Sequence, residues 1–159
     1  MSGEAIIATK DERPAFWVMG DRYTVLLSAS ETGGAFTLFE FVVPPGRGSP
    51  PHIHHREDET FLVVAGEVEF VLGGVAAVVG MGAIVFGARG VPHSFRNVGA
   101  TDARMIVTVT PGGLEAFFAA VGVPAADRDA IPPAPSPAGK ERIREIAPAF
   151  GIELLRPAP

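Results

Sequence analysis

An all-β sandwich or barrel is the fold this sequence predicts, on three observations. Short apolar or alternating runs recur from Phe16 to Thr110. Gly and Pro turns part them at regular spacing, and helical periodicity is confined to the last third of the chain. The expected strands are Tyr23–Ser28, Thr37–Val43, Thr60–Ala65, Val68–Leu72, Val75–Val79, Ala83–Phe86, His93–Asn97 and Arg104–Thr110. Gly73-Gly74 between two apolar runs is a hairpin signal, because primed two-residue turns need positive φ. Ala65-Gly66-Glu67 parts two strands in the same way. The uncharged stretch from Phe70 to Ala88 is long enough to cross a bilayer. Gly73, Gly74, Gly80, Gly82 and Gly87 interrupt it, however, so it reads as buried strands joined by tight turns, with no membrane span.

Beyond Thr110 the pattern changes. Leu114, Phe117, Phe118 and Val121 follow helical spacing, and Gly122 is placed to end that helix. Val123 to Gly139 is rich in proline and predicts an extended surface connector. Ile143, Ile146, Ala147 and Phe150 then repeat the helical spacing, with Gly151 as the stop. The chain is therefore read as one domain over 1–159, with a barrel core at about 16–110 and a helical extension over 111–159. The two short helices are expected to pack on the barrel or on a partner subunit. Exposed strand edges suggest a homodimer.

Composition narrows the function. With 13 Lys and Arg against 18 Asp and Glu, the formal charge is −5, and no basic cluster offers a nucleic-acid surface. The chain has no cysteine, which excludes disulfides, thiolate metal sites, iron–sulfur clusters and thiol nucleophiles. Any metal must be held by imidazole, carboxylate or backbone oxygen. Met1 to Pro14 mixes acidic and basic residues without an apolar run, so no signal peptide is read there and the cytoplasm is the expected compartment.

Two segments carry chemistry. In GRGSPPHIHHREDETFLVVAG, from Gly46 to Gly66, His52 and His54 are two residues apart, so on a strand both imidazoles share a face. Glu59 lies an odd number of residues from His54 and would face the other way on a continuous strand. A turn through His55–Asp58 resolves this by starting a new strand near Glu59, with Glu59, Phe61 and Val63 on one face. In GAIVFGARGVPHSFRN, from Gly82 to Asn97, Gly90 and Pro92 bend the chain so that His93 aims into the same cavity. Three imidazoles and a carboxylate suit one divalent transition metal: iron, manganese, nickel, cobalt, copper or zinc. Four protein ligands on an octahedral ion leave two positions for substrate oxygen and water or dioxygen. Glu59 is read as a ligand, as a catalytic base beside the ion, or as alternating between them. Arg56, Glu57 and Asp58 read as a solvated turn, with Glu57 a secondary candidate ligand, and His55 as a surface residue. Phe39, Phe41, Phe61, Phe86 and Phe95 are either core or the lining of an aromatic-binding cavity.

These segments resemble the two motifs of the cupin superfamily. Gly46, His52, His54, Glu59 and Gly66 fill each fixed position of the first. Gly82, Gly90, His93 and Asn97 match the second, with Ala88 in place of its proline. The resemblance implies a cupin double-stranded β-helix, a jelly-roll barrel with two short C-terminal helices. It implies His52, His54, Glu59 and His93 as metal ligands, and structural roles for the four glycines and Asn97. The outline is similar to small single-cupin proteins grouped with bacterial quercetin dioxygenases. That implies a metal-dependent dioxygenase acting on a small aromatic or enolic substrate. A redox-neutral metalloenzyme (isomerase, lyase or hydrolase) and a non-catalytic, metal-stabilised ligand-binding barrel stay open beside it.

Overall fold

Alternation of inward and outward side chains along short strands builds two facing antiparallel sheets. The structure, a computed structural model, describes residues 5–156. The ends of the expectations for Met1 to Pro14 and for the 111–159 extension fall outside those residues. The strands are β1 (Ala15–Val18), β2 (Asp21–Leu27), β3 (Thr37–Val43), β4 (Gly48–His54), β5 (Asp58–Ala65) and β6 (Val68–Leu72). They continue as β7 (Val75–Val79), β8 (Ile84–Gly87), β9 (His93–Asn97), β10 (Ala103–Thr110), β11 (Val123–Pro124) and β12 (Ile152–Leu154). Helices α1 (Glu115–Val121) and α2 (Pro137–Ile146) complete the extension. The larger sheet runs β11-β1-β2-β3-β10-β5-β8 and the smaller β12-β4-β9-β6-β7. Consecutive strands β4 and β5 lie in different sheets, as do β9 and β10, so the chain winds between layers as a jelly roll.

Inward positions fill the space between the sheets. Phe39, Phe61, Val63, Val68, Phe70, Met105, Val107 and Val109 are all buried there. Their edge-to-face and tilted ring contacts, such as Phe61 on Phe70 at 5.2 Å, pack the closed end. Outward Glu40 is also buried, held by Arg104 Nε at 2.6 Å and flanked by Lys10 and Arg22.

The C-terminal elements follow the expected spacing. Helix α1 buries Phe117, Phe118 and Val121 and ends at Gly122. Ser136 caps α2 by accepting from Gly139 N, and Pro137 occupies the first turn, where no N–H is required. A short 3-10 turn, Ala147–Phe150, carries the second helical run to Gly151, whose φ of 71° is the left-handed stop. The proline-rich connector is mostly irregular. Its first two residues nevertheless form edge strand β11 on β1, and its last three begin α2.

One expectation needs correction. The Phe70–Ala88 stretch does form strands with tight turns, and no described helix is long and apolar enough to cross a membrane. Its strands are not all buried, because β7 and β8 are the terminal strands of their sheets. Val75, Val78, Met81, Ile84 and Phe86 are exposed. Phe86 is accordingly no cavity residue.

The motif glycines Gly46, Gly66, Gly82 and Gly90 have φ of 76°, 85°, 88° and 79°, as their structural reading requires. The tightest glycine lies next to them. A Cβ on Gly48 would stand 2.0 Å from the Phe95 carbonyl oxygen on the neighbouring strand. Gly48→Ala should therefore cost upwards of about 2 kcal/mol in urea denaturation. Gly74→Ala, with open space around its Cβ, should cost only the backbone strain, about 1–2 kcal/mol.

Candidate metal centre

Strand β4 carries His52 and His54 on its inward face, and both are buried. β9 pairs with β4 so that His93 lies directly opposite His52. The chain leaves β4 at His54, turns through His55–Glu57, and enters β5 in the other sheet. Glu59 is then inward, in line with buried Phe61 and Val63, as its spacing required. It faces Gly87 on β8, and a Cβ there would come within 3.7 Å of the His93 ring.

One ligand atom from each of His52, His54, Glu59 and His93 lies within 4.8 Å of all the others. His52 Nε2 stands 3.2 Å from His54 Nε2, and Glu59 Oε2 stands 2.8 Å from His93 Nε2 and 3.5 Å from His54 Nε2. The opposite nitrogens set the orientation. Nδ1–H of His52 donates to the Pro50 carbonyl at 2.7 Å, and that of His93 to the Val91 carbonyl at 3.1 Å. His54 Nδ1–H donates to Glu57 Oε2 at 3.3 Å. With each Nδ1 so engaged, the Nε2 lone pairs converge on Glu59. Converging lone pairs and a carboxylate repel one another unless a cation lies between them. The buried cluster thus fits a divalent metal site.

The electrostatics agree. Burial pulls the His52 imidazole down to about 4, with His93 and His54 adding to it, so its lone pair is free at neutral pH. Burial works to raise the Glu59 carboxyl, but the positive charge that His54, His93 and His52 bring when protonated outweighs it and holds Glu59 near 2. At His54, burial is outweighed by Glu59 and Glu57, which raise it.

The turn differs from its expected role at one residue. Arg56 is exposed and Asp58 only partly covered, but Glu57 is buried against His54 Nδ1. It is neither solvated nor one of the four clustered ligands; it orients a ligand. His55 is on the surface as expected, paired with Glu153 at 2.8 Å. Asp58 accepts from the Arg89 guanidinium and backbone N–H, and the Gly90 N–H donates to the His54 carbonyl. These bonds pin the loop that delivers His93. Asn97 donates to the Val43 and Thr101 carbonyls and accepts from Gly99 N–H, so it ties down a loop.

The cluster opens on a cavity of about 630 Å³. Phe41 and Phe95 line it, whereas Phe39 and Phe61 are core. Phe118, Ile143, Lys140 and Arg144 of the extension also face it, as do Asp21, Tyr23, Arg47 and Ser49. None of these was read as a site residue from the sequence. The available signal was the register of β2, where period two puts Asp21, Tyr23 and Val25 on the inward face. A carboxylic acid at an inward position is the anomaly. Burial lifts the Asp21 carboxyl to about 7, against the hydrogen bond from Tyr23 and the Arg47 charge.

Residues 39–109 match the Cupin domain family. The fold is a cupin barrel. No curated protein is matched by the sequence. Among solved structures, a predicted oxalate decarboxylase from Thermotoga maritima is similar in fold at TM-score 0.62 and 22% identity, over 67% of this chain and 99% of that one. KdgF from Halomonas sp. has TM-score 0.62 at 16% identity, over 71% and 98%. The polyketide cyclase RemF from Streptomyces resistomycificus has TM-score 0.59 at 24% identity, over 67% and 80%. At such identities the likeness is one of fold alone.

Removing His52 or His93 as Ala should strip most of the metal from the loaded protein; unchanged content by elemental analysis would sink the assignment. Glu57→Ala should keep the four ligands but weaken affinity by about 10–100-fold in chelator competition. For Asp21, the unfolded chain gives up its proton near the ordinary 3.8, while the folded chain keeps it to about 7. The folded state therefore loses stability as pH rises between those values and levels off above them. Asp21→Asn should gain on the parent across that window, with a ceiling of about 4 kcal/mol, in urea denaturation at acid and mildly alkaline pH.

Proposed function

We propose that the chain is a metal-dependent enzyme acting on a small aromatic or enolic molecule, and that its reaction is a dioxygenation. The observation that carries this reading is the clustering of His52, His54, His93 and Glu59, of which His52, His54 and Glu59 line a cavity otherwise faced largely by apolar and aromatic groups. Its volume is in the range that encloses a small organic ligand. A bound divalent transition metal supplies Lewis acidity, lowering the pKa of a substrate hydroxyl and orienting it. The chain supplies the rest. Phe41, Phe95 and Phe118 offer ring faces that exclude water from a flat substrate. Glu59, kept ionised by its imidazole neighbours, serves as an anionic ligand, and accepts the substrate hydroxyl proton when released from that contact.

A second reading, a redox-neutral metalloenzyme such as a lyase or isomerase, is favoured by one observation. The cavity holds two carboxyl groups whose surroundings push their proton affinities apart, Glu59 downward and Asp21 upward. Such pairs divide base and acid roles between them.

Oxygen separates the readings. The protein reloaded in turn with iron, manganese, nickel, cobalt, copper or zinc is assayed on a panel of flavonols, catechols and enolic acids. Stoichiometric oxygen uptake that ceases under anaerobic conditions supports the dioxygenase. Turnover that continues without oxygen overturns it in favour of the redox-neutral enzyme. Tight metal binding without turnover of any compound overturns both, leaving a ligand-binding barrel.

A further inference from the structure

The cavity has polar atoms that the metal cluster does not use. Asp21 is 2% exposed, yet its Oδ1 has no hydrogen-bond partner in the protein. Its other oxygen accepts from the Tyr23 hydroxyl at 3.3 Å, a long bond for two oxygens. Ser49 Oγ, on the other sheet, is likewise buried without a partner. All three residues line the same cavity as His52, His54 and Glu59. A buried carboxyl oxygen left unpaired costs about 1–3 kcal/mol, so one on a residue that lines a cavity marks a place where a polar group gains by docking.

Register separates this group from the metal cluster. Tyr23 pairs with Phe41, Phe41 with Met105, and Met105 with Val63. Glu59 is four residues from Val63 along β5, about 13 Å of extended chain. Rings line the same cavity. Tyr23 stacks on Phe118 at 4.3 Å and meets the edge of Phe41 at 4.4 Å, and Phe95 completes that wall. The cavity therefore holds two groups of polar atoms at different levels of the sheet, with these rings lining the wall beside them.

We propose that Asp21 and Tyr23, with Ser49 of the other sheet lining the same cavity, form a second subsite that binds a hydroxyl, carbonyl or enol oxygen at the end of the substrate away from the metal ligands. This rests on the reading of the cavity as a metal-anchored substrate site, and holds for either reaction. Protonated Asp21 donates through one oxygen while the other stays with Tyr23, and burial together with weak competition from Arg47 keeps it protonated up to about neutral pH. The substrate class that fits is a compact ring molecule with a metal-ligating oxygen at one end and a single uncharged oxygen function at the other.

The test uses the full chain loaded with cobalt(II), whose visible absorption reports ligands entering the metal site. The probes are 4-methylcatechol and catechols bearing a terminal hydroxyl on an arm of one, two or three carbons. At least one hydroxyl-armed catechol should bind the parent about tenfold more tightly than 4-methylcatechol. That gain should vanish in Tyr23→Phe, which keeps the ring, and in Asp21→Ala. It should persist in Asp21→Asn, which keeps a donor and an acceptor and guards against loss of fold. The gain is read within each variant, as the ratio of hydroxyl-armed catechol to 4-methylcatechol affinity, with cobalt content as the check on the metal site. If 4-methylcatechol binds normally but no arm improves on it, or if the gain survives in both Tyr23→Phe and Asp21→Ala, the subsite is overturned alone. Cobalt uptake with no response to any catechol overturns the metal-anchored reading and the subsite with it.

Discussion

The crossing of the chain from β4 to β5 governs the whole centre. Side chains alternate along a strand, so two histidines on one sheet and a glutamate on the other meet only if the connecting turn delivers Glu59 facing inward. One residue more or less in His55–Glu57 would turn Glu59 outward together with Phe61 and Val63, dismantling core and site at once. The turn is held accordingly. His55 N–H donates to the Gly151 carbonyl, Glu57 holds His54, and Asp58 grips Arg89 on the loop that leads to His93. Packing and chemistry share one register.

Much of this was legible because it repeats at short range. Strands β3, β6, β7 and β9 have the expected ends, and the four clustered residues were all identified from spacing. What escaped depends on contacts between distant segments. β4 contains Pro50 and Pro51, which argue against a strand; the register shift between Ser49 and His52 accommodates them. β1 and the edge strands β11 and β12 are short and defined by their partners rather than by a pattern of their own. Glu57 sits in a run of charges that looks solvated, and only the fold brings its carboxylate to His54. The exposure of Val75 and Ile84 reflects sheet order, which periodicity does not encode.

The cavity sustains two opposed protonation states along one wall-lined space. Glu59 stays charged because three imidazoles compensate the loss of water, whereas Asp21 has only a tyrosine hydroxyl and the more remote pull of Arg47. Burial alone would neutralise both carboxyls. The difference lies in how many positive or proton-donating groups each one meets.

Strand β12 pairs along β4, with Ile152 opposite His54 and Leu154 opposite His52. The helix before it turns Lys140, Ile143 and Arg144 toward the cavity. The chain thus separates two tasks in its own length. The metal-ligand residues are fixed by the barrel motifs, while much of the wall that decides which molecules fit comes from a tail that contributes none of the four. Such a tail can drift in shape and charge over generations while the histidines stay in place. One barrel could then serve many different small molecules, its inheritance conservative at the centre and free at the rim.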